Sequence, residues 1–366
     1  MCIIGAGING CSIAYELSNE NKKVILFDKE GIAGGGSGAA GAFISPKFSK
    51  TGELKELLDT AFTYSLDFYE KNFPELLTKS PLLHIAKDDK DAQALLSYKK
   101  DTTHKLLEYS SELNESISID AGIVDAKSVC EAMAKSAKLV RQTVDSLVYD
   151  DGVWVINETY YAKEVVLATG AYKQLIKEPY IKLRGIWGHR IDVKTTTKNP
   201  YSIHQFVSIS PSCNGQLAIG ATHNVHYHPE SAKEPYNIES GREELLEKAS
   251  RTMDLENVEV ITDYVGLRSG STDYMPLIGS LVLSRETLNN TSINFEMKKV
   301  DYNKYTYYPN LYMINGSAGY GFVLAPYLAK LLKEHMLSGK EISERLSPVR
   351  FFARWARKNK KPFYKE

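Results

Sequence analysis

Three glycines and one acid set the first chemical constraint in this 366-residue chain. Gly5-Ala6-Gly7-Ile8-Asn9-Gly10 is a complete G-x-G-x-x-G, and Asp28 stands eighteen positions after Gly10. These residue types at this spacing suit a pyrophosphate and a ribose. Gly5 turns the chain tightly, Gly7 lets backbone approach phosphate oxygens, and Gly10 lets a helix lie close on a strand. Unpaired amides where that helix starts, around Ile8 and Asn9, would face the phosphates. Asp28, with Lys29 beside it, would accept hydrogen bonds from an adenosine ribose. A fortuitous glycine turn is the alternative, and the flanking residues argue against it. The apolar run 1–4 reads as a buried strand, Ile13, Ala14 and Leu17 follow at helical spacing, and Val24-Ile25-Leu26-Phe27 is a second strand ending on the acid.

Further glycine runs decide which dinucleotide. Gly34-Gly35-Gly36-Ser37-Gly38-Ala39-Ala40-Gly41 follows Asp28 almost at once. A nicotinamide fold has no general need of a second loop of tiny residues there, whereas a flavin lies against backbone along its length. Val165-Val166-Leu167-Ala168-Thr169-Gly170 is an apolar strand ending in a small-residue turn. Gly316-Ser317-Ala318-Gly319-Tyr320-Gly321-Phe322 opens an amphipathic helix over about 325–336, bringing amides and a helix dipole to bear. Any one of these is compatible with an ordinary turn; in this order they favour FAD over NAD. The candidate FAD contacts are Gly5, Gly7, Ile8, Asn9, Gly10, Asp28, Lys29, Gly36, Ser37, Gly38, Gly41, Val144, Ala168, Thr169, Gly170, Gly316, Ser317, Gly319, Tyr320, Gly321 and Phe322. No cysteine has a context suggesting covalent attachment, so FAD is expected to be non-covalent.

Composition adds bounds. Lys+Arg and Asp+Glu both number 45, so bulk charge points to no nucleic-acid partner. Cys2, Cys11, Cys130 and Cys213 are scattered without a C-x-x-C pair, which reads as reduced thiols rather than a disulfide scaffold. No basic region precedes the first apolar residues, and no apolar run approaches the ~20 residues of a membrane span. The expectation is a cytoplasmic protein with no membrane partner. A first strand of only four residues hints at a shortened N-terminus.

The elements that must position these loops follow from periodicity. Residues 54–73 are strongly helical, 82–86 form a strand, 89–98 a polar helix and 125–138 another helix. Segments 143–149 and 152–157 pair as a hairpin around Asp150-Asp151. From 183 to about 260 the signals are mostly strand (185–193, 202–210, 216–222), interrupted by a helix near 242–253. Segments 289–292 and 298–308 read as a loop or edge hairpin. The expected fold class is α/β: a Rossmann-like FAD-binding domain with an inserted antiparallel-sheet (α+β) substrate domain. Residues 1–75, 120–182 and 263–346 would form the FAD-binding domain, 76–119 and 183–262 the substrate domain, and 347–366 a basic C-terminal tail.

Gly5–Gly10 with Asp28, Gly266-Leu267-Arg268…Asp273…Pro276-Leu277-Ile278-Gly279, and the loop at 316–322 together resemble the D-amino-acid oxidase and glycine oxidase superfamily. Ser37-Gly38…Gly41 leading to Ser45-Pro46-Lys47, and the closing Leu346-Ser347-Pro348-Val349-Arg350-Phe351…Arg354, resemble the FAD-dependent half of MnmC-type tRNA wobble-uridine modifying enzymes. Ala39 departs from the polar residue usual there, and with residue 1 already in the first strand no methyltransferase domain is expected within this chain. The resemblance implies that Arg268 holds a substrate carboxylate; a guanidinium fork suits that task better than lysine in a dry pocket. The alternative is an arginine bracing a loop onto the FAD domain. Asp273 reads as ordering its turn rather than acting as a base. His189 with Arg190, after Gly185-Ile186-Trp187-Gly188, and Tyr320 are candidates for the substrate side.

The resemblance implies oxidative cleavage of the carboxymethylaminomethyl arm of a tRNA wobble uridine, leaving aminomethyl-uridine and releasing glyoxylate. The partners implied are tRNA and a separate methyltransferase; the oligomeric state stays open. Oxidation of free glycine, sarcosine or D-amino acids is the first rival, and a non-catalytic flavin-binding subunit the second. Between Ser347 and Lys365 lie seven basic residues and no acids. Arg350, Arg354 and Arg357 share a helical face suited to phosphate contacts; a solubilising, frayed terminus is the other reading. His223, His226 and His228 invite a metal, but no cysteine or carboxylate adjoins them, and loop histidines at a site mouth are the simpler reading. No metal is expected.

Overall fold

A computed structural model describes residues 1–111, 114–172, 175–225, 236–295 and 301–359. Two large sheets organise them. The first has six strands, in the order Leu277–Val282, Tyr307–Asn315, Val165–Leu167, Cys2–Ile4, Ile25–Phe27, Lys138–Val140. All neighbours run parallel except the antiparallel edge pair Leu277–Val282 and Tyr307–Asn315. The central strands are apolar at every position because both their faces are covered. Ile3, Leu26 and Val166 face the helices Ile8–Asn19, Ala126–Ala134 and Gly321–Ser338. Cys2, Ile4 and Phe27 face Trp154 and Ile156 of a three-stranded sheet and Phe351 and Phe352 of the helix Val349–Lys358. Period-two alternation of the strand thus divides the core in two.

Gly10 shows why the first turn needs its third glycine. A Cβ there would stand 1.8 Å from the Gly5 carbonyl oxygen, so no side chain fits between helix and strand. The closing helix contains Pro326, which cannot donate to the carbonyl of Phe322. The Tyr69 hydroxyl donates to that carbonyl at 2.9 Å, and Ser65 Oγ donates to the next one, of Val323, at 2.7 Å. The helix Glu53–Asn72 therefore completes the start of the helix that the third glycine loop opens.

The second sheet has eight strands, in the order Glu259–Ser271, Leu183–Lys194, Gln216–Gly220, Ser208–Ile209, Ser202–His204, Leu82–Ile85, Ser116–Ile119, Leu106–Ser110. Its two long strands pair antiparallel from Leu183↔Ser271 to Lys194↔Glu259. The helix Ile238–Thr252 covers one face through Leu245 and Ala249, against Ile191, Val193, Leu217 and Ile219.

Three sequence expectations change. The helix expected over 125–138 ends at Ala134, capped at its start by Asp125 accepting from the Ser128 amide. Lys138–Val140 instead pairs with Ile25–Phe27, because an unfilled parallel edge outweighs helical propensity in so short an apolar run. The single strand expected over 202–210 is a hairpin of two short strands, Ser202–His204 and Ser208–Ile209. Of the loop or edge hairpin expected over 298–308, residues 301–306 are loop with one tight turn at Tyr302–Lys304, and Tyr307 begins a sheet strand; residues 298–300 lie outside the described set. No helix among the described residues is long and apolar enough to cross a membrane.

Candidate functional site

A cavity of about 1250 Å³ is lined by residues of both sheets, larger than the roughly 300–1,000 Å³ usual for a small-molecule pocket. From the nucleotide side it is walled by Gly5, Gly7, Ile8, Asn9, Asp28, Lys29, Gly36, Ser37, Gly41, Val144, Ala168, Thr169, Gly170, Ser317, Gly319, Tyr320, Gly321 and Phe322. Gly10, Gly38 and Gly316 do not line it. Gly10 lets helix meet strand, a Cβ at Gly38 would strike the Ala33 carbonyl at 2.3 Å, and Gly316 sits at a left-handed φ of 78°. They shape the loops.

The loops are stitched together by hydrogen bonds. The Ala6 amide donates to one Asp28 carboxylate oxygen at 2.8 Å, while Glu30 and Gly31 amides donate to the other at 2.9 and 3.1 Å. The Ile8 amide, at the start of the first helix, donates to Ser37 Oγ of the second loop at 2.9 Å. Ser317 Oγ of the third loop donates to Asn9 Oδ1 at 3.2 Å. The second loop lies flat on the eight-stranded sheet: a Cβ at Gly266 would stand 2.7 Å from Gly36 Cα, and one at Gly36 would stand 2.6 Å from the Leu267 carbonyl oxygen. Such a cradle of bare backbone, a helix N-terminus and one acid fits an ADP-linked flavin. When bound, FAD would be held by these three loops and Asp28.

The substrate side is set by which strand positions face the cavity. Ile186 and Arg190 line it, and so do Leu267 and Arg268 of the paired strand. Arg268 lies over Gly188, where a Cβ would meet its guanidinium at 2.3 Å. Its Nη1 donates to the Thr222 carbonyl at 3.3 Å. No carboxylate pairs with it among the described residues, and burial holds its pKa below the usual arginine value. It is a desolvated cation with open hydrogen-bonding capacity on a cavity wall. His223 also lines the cavity; burial and then the Arg268 charge hold its pKa below the ordinary histidine value. Lys47 Nζ donates to Tyr320 Oη at 3.1 Å, so both stand at the wall.

His189 is a correction. It is fully buried on the opposite face of its strand, its Nε2 bonded to Asp263 at 2.9 Å and its ring edge-on to Tyr236. A shift of one residue inverts the face of a strand, and Arg190 holds the cavity position instead. Arg190 Nη1 donates to the Ala40 carbonyl at 2.7 Å, and its guanidinium stacks over Tyr264 at 3.9 Å. Sequence reasoning also passed over Phe43, Phe48, His84 and His204, which line the same cavity.

Arg350 is a second correction. Its guanidinium is spent inside the protein: Nε and Nη2 donate to the two Asp273 oxygens at 2.8 and 3.0 Å, and Nη2 also donates to the Met275 carbonyl at 2.7 Å. Asp273 in turn accepts from Ser271 Oγ and the Met275 amide, so it orders the turn as expected. The segment through Asn359 is no frayed tail; Val349, Phe351, Phe352 and Ala356 are core residues. Arg354 is exposed, and Arg357 is exposed with its Nε on the Phe295 carbonyl at 3.2 Å. His226, His228, Lys360, Lys361 and Lys365 lie outside the described residues. Among the described residues no group of three or more His, Cys, Asp or Glu could hold a metal.

Comparison with known proteins gives the same picture. The family model described as FAD dependent oxidoreductase (DAO) matches residues 1–335. The bifunctional protein MnmC of tRNA 5-methylaminomethyl-2-thiouridine biosynthesis from Campylobacter concisus is 25% identical over 98% of this chain and 60% of its own length; that from Legionella pneumophila strain Lens is 24% identical over 95% and 56%. The chain thus spans little more than half the length of these relatives. Glycine oxidase of Bacillus subtilis is 27% identical over 76% of this chain and 83% of its own. Among solved structures, glycine oxidase from Geobacillus kaustophilus superposes with a TM-score of 0.74 at 19% identity, covering 95% of this chain and 98% of that one. Iminodiacetate oxidase from Chelativorans superposes at 0.71 and 18%, with the same coverage. With the sheets, the three converging loops and the family match in agreement, the chain belongs to the DAO family of FAD-dependent oxidoreductases.

Proposed function

We propose that the chain oxidises a secondary amine bearing a carboxymethyl group, and that the amine is the carboxymethylaminomethyl arm of a tRNA wobble uridine. The observation that carries the reading is Arg268: a desolvated guanidinium on the cavity wall, unpaired by any described carboxylate, is a receptor for a carboxylate. FAD, when bound, supplies a two-electron acceptor for a hydride. Arg268 fixes the carboxymethyl end, and the cationic Arg268 and Arg190 disfavour protonation of a nearby amine, which must be neutral to release hydride. The lowered pKa of His223, which has burial as its first cause and Arg268 as its second, illustrates the same effect on a neighbour. Loss of hydride from the carboxymethyl carbon leaves a C=N bond. Water adds to it, the C–N bond breaks, and glyoxylate departs while the primary amine stays on the uridine. The relatives named for tRNA 5-methylaminomethyl-2-thiouridine biosynthesis support the tRNA half of this reading.

A second reading, oxidation of a free amino acid, is favoured by the match to 83% of a glycine oxidase. Anaerobic mixing of the yellow holoenzyme with tRNA carrying carboxymethylaminomethyluridine separates the two. Bleaching of the flavin, with aminomethyluridine and glyoxylate detected by mass spectrometry, is expected. Robust bleaching by glycine, sarcosine or a D-amino acid with unchanged tRNA overturns the tRNA assignment.

A further inference from the structure

The eight-stranded sheet presents a polar row to the cavity that a glycine-sized substrate leaves untouched. Its cross-strand registers run Arg190↔Gly220, Gly220↔Ser208, Ser208↔His204 and His204↔His84, and all five residues line the cavity. Three strand spacings of roughly 4.8 Å separate the Arg190 strand from His204, about 14 Å along the floor. The Arg268 guanidinium lies over Gly188 on that same Arg190 strand, so a carboxylate held there is far from His204.

The His204 end has its own chemistry. The ring meets Phe43 edge-on at 5.1 Å between centroids, and Phe48 lies 4.8 Å from His84. Phe43 and Phe48 also line the cavity, which gives this end aromatic walls. His204 Nδ1 bonds the Ile203 carbonyl at 3.2 Å. A carbonyl only accepts, so Nδ1 carries the proton and Nε2 of the neutral ring presents a lone pair. Burial first, then the charge of His84, pushes the His204 pKa down to about 3, so the ring stays neutral through the working pH range. A neutral acceptor between aromatic walls suits a planar uncharged ring with an N–H donor.

We infer that His204 is a specificity-determining residue whose Nε2 accepts the imide N–H of the substrate's uracil ring, while Arg268 holds the carboxylate at the other end of the arm. This rests on the tRNA reading above. It requires the base to leave its stack, which single-stranded loop bases do readily.

The test uses the holoenzyme and four amines: the nucleoside 5-carboxymethylaminomethyluridine, its N3-methyl derivative, sarcosine, and the tRNA carrying the modified uridine. Anaerobic flavin reduction is followed over a range of concentrations. In the unaltered chain, N3-methylation lowers the second-order rate constant about tenfold. In His204→Ala the preference for the nucleoside over sarcosine falls about tenfold and the N3-methyl penalty disappears. Equal rates for the two nucleosides in the unaltered chain overturn the subsite without needing any variant to fold, and a penalty that persists in His204→Ala overturns it too. Bleaching by sarcosine with none by either nucleoside, or by the modified tRNA, overturns the parent reading and the subsite with it.

Discussion

The six-stranded sheet gives the cavity backbone, and the eight-stranded sheet gives it side chains. On the first, Gly5, Gly7, Gly36 and Gly319 line the wall, with Ser37, Ser317 and Asp28 holding the loops in place. On the second, Arg268, Arg190, His204 and His84 line the cavity, one from each of four strands. A dinucleotide of fixed shape can be held by amides and a helix end, whose geometry comes with the fold. A substrate is distinguished by what particular side chains donate or accept. The two regions therefore tolerate change differently, and four substitutions probe that difference.

Gly10→Val should have the largest effect. Its side chain would collide with the Gly5 carbonyl at the helix–strand contact, so the purified chain should be colourless or unfolded by flavin absorbance and circular dichroism. A yellow, folded variant would mean that the turn does not hold the flavin. Arg268→Met should keep its flavin yet lose roughly 10²–10³ in the second-order rate of amine reduction, the scale of a lost charge-assisted pair. Unchanged kinetics would return Arg268 to a loop brace.

Arg350→Met tests the clasp between the terminal helix and the 271–275 turn. Removing one partner of so enclosed a pair (side chains 10% and 23% exposed) should cost about 3 kcal/mol by thermal unfolding at neutral pH. Burial alone would raise the Asp273 pKa, but the Arg350 hydrogen bonds and charge outweigh it and hold the folded value below normal. A depressed acid stabilises the fold above its unfolded pKa, about 3.9, and that contribution is lost as pH falls through the folded value. The difference between the two proteins should therefore narrow below about pH 4. Deleting 347–366 is a poor probe of nucleic-acid binding, because it would strip Phe351 and Phe352 from the core. Arg354→Ala is cleaner and should have the smallest effect: stability within about 0.5 kcal/mol, and a slope of tRNA affinity against salt reduced by about one. An unchanged slope would remove Arg354 from any phosphate contact.

The same contrast explains what the sequence revealed. Glycine loops are legible because only glycine fits the close contacts at Gly5 and Gly36 and the left-handed φ at Gly316, so their order in the sequence points to a flavin. Arg268 was legible through its Gly-Leu-Arg context. His189 was misplaced by one position because face assignment depends on register, which Leu183↔Ser271 sets from almost ninety residues away in sequence. His204 and His84 escaped notice because they meet only through a parallel pairing of distant segments. Arg350 looked like a surface cation because its acid, Asp273, lies 77 positions earlier.

The contact between Gly36 and Gly266 has a practical corollary for redesign. With no room for even one methyl group at either glycine, the seam has no slack, and the clearance between flavin loop and substrate floor is set by main chain alone. An engineer seeking turnover of bulkier amines gains nothing by resculpting that seam. The adjustable end of the chamber is the far one, where Phe43, Phe48 and His204 line the cavity away from that seam.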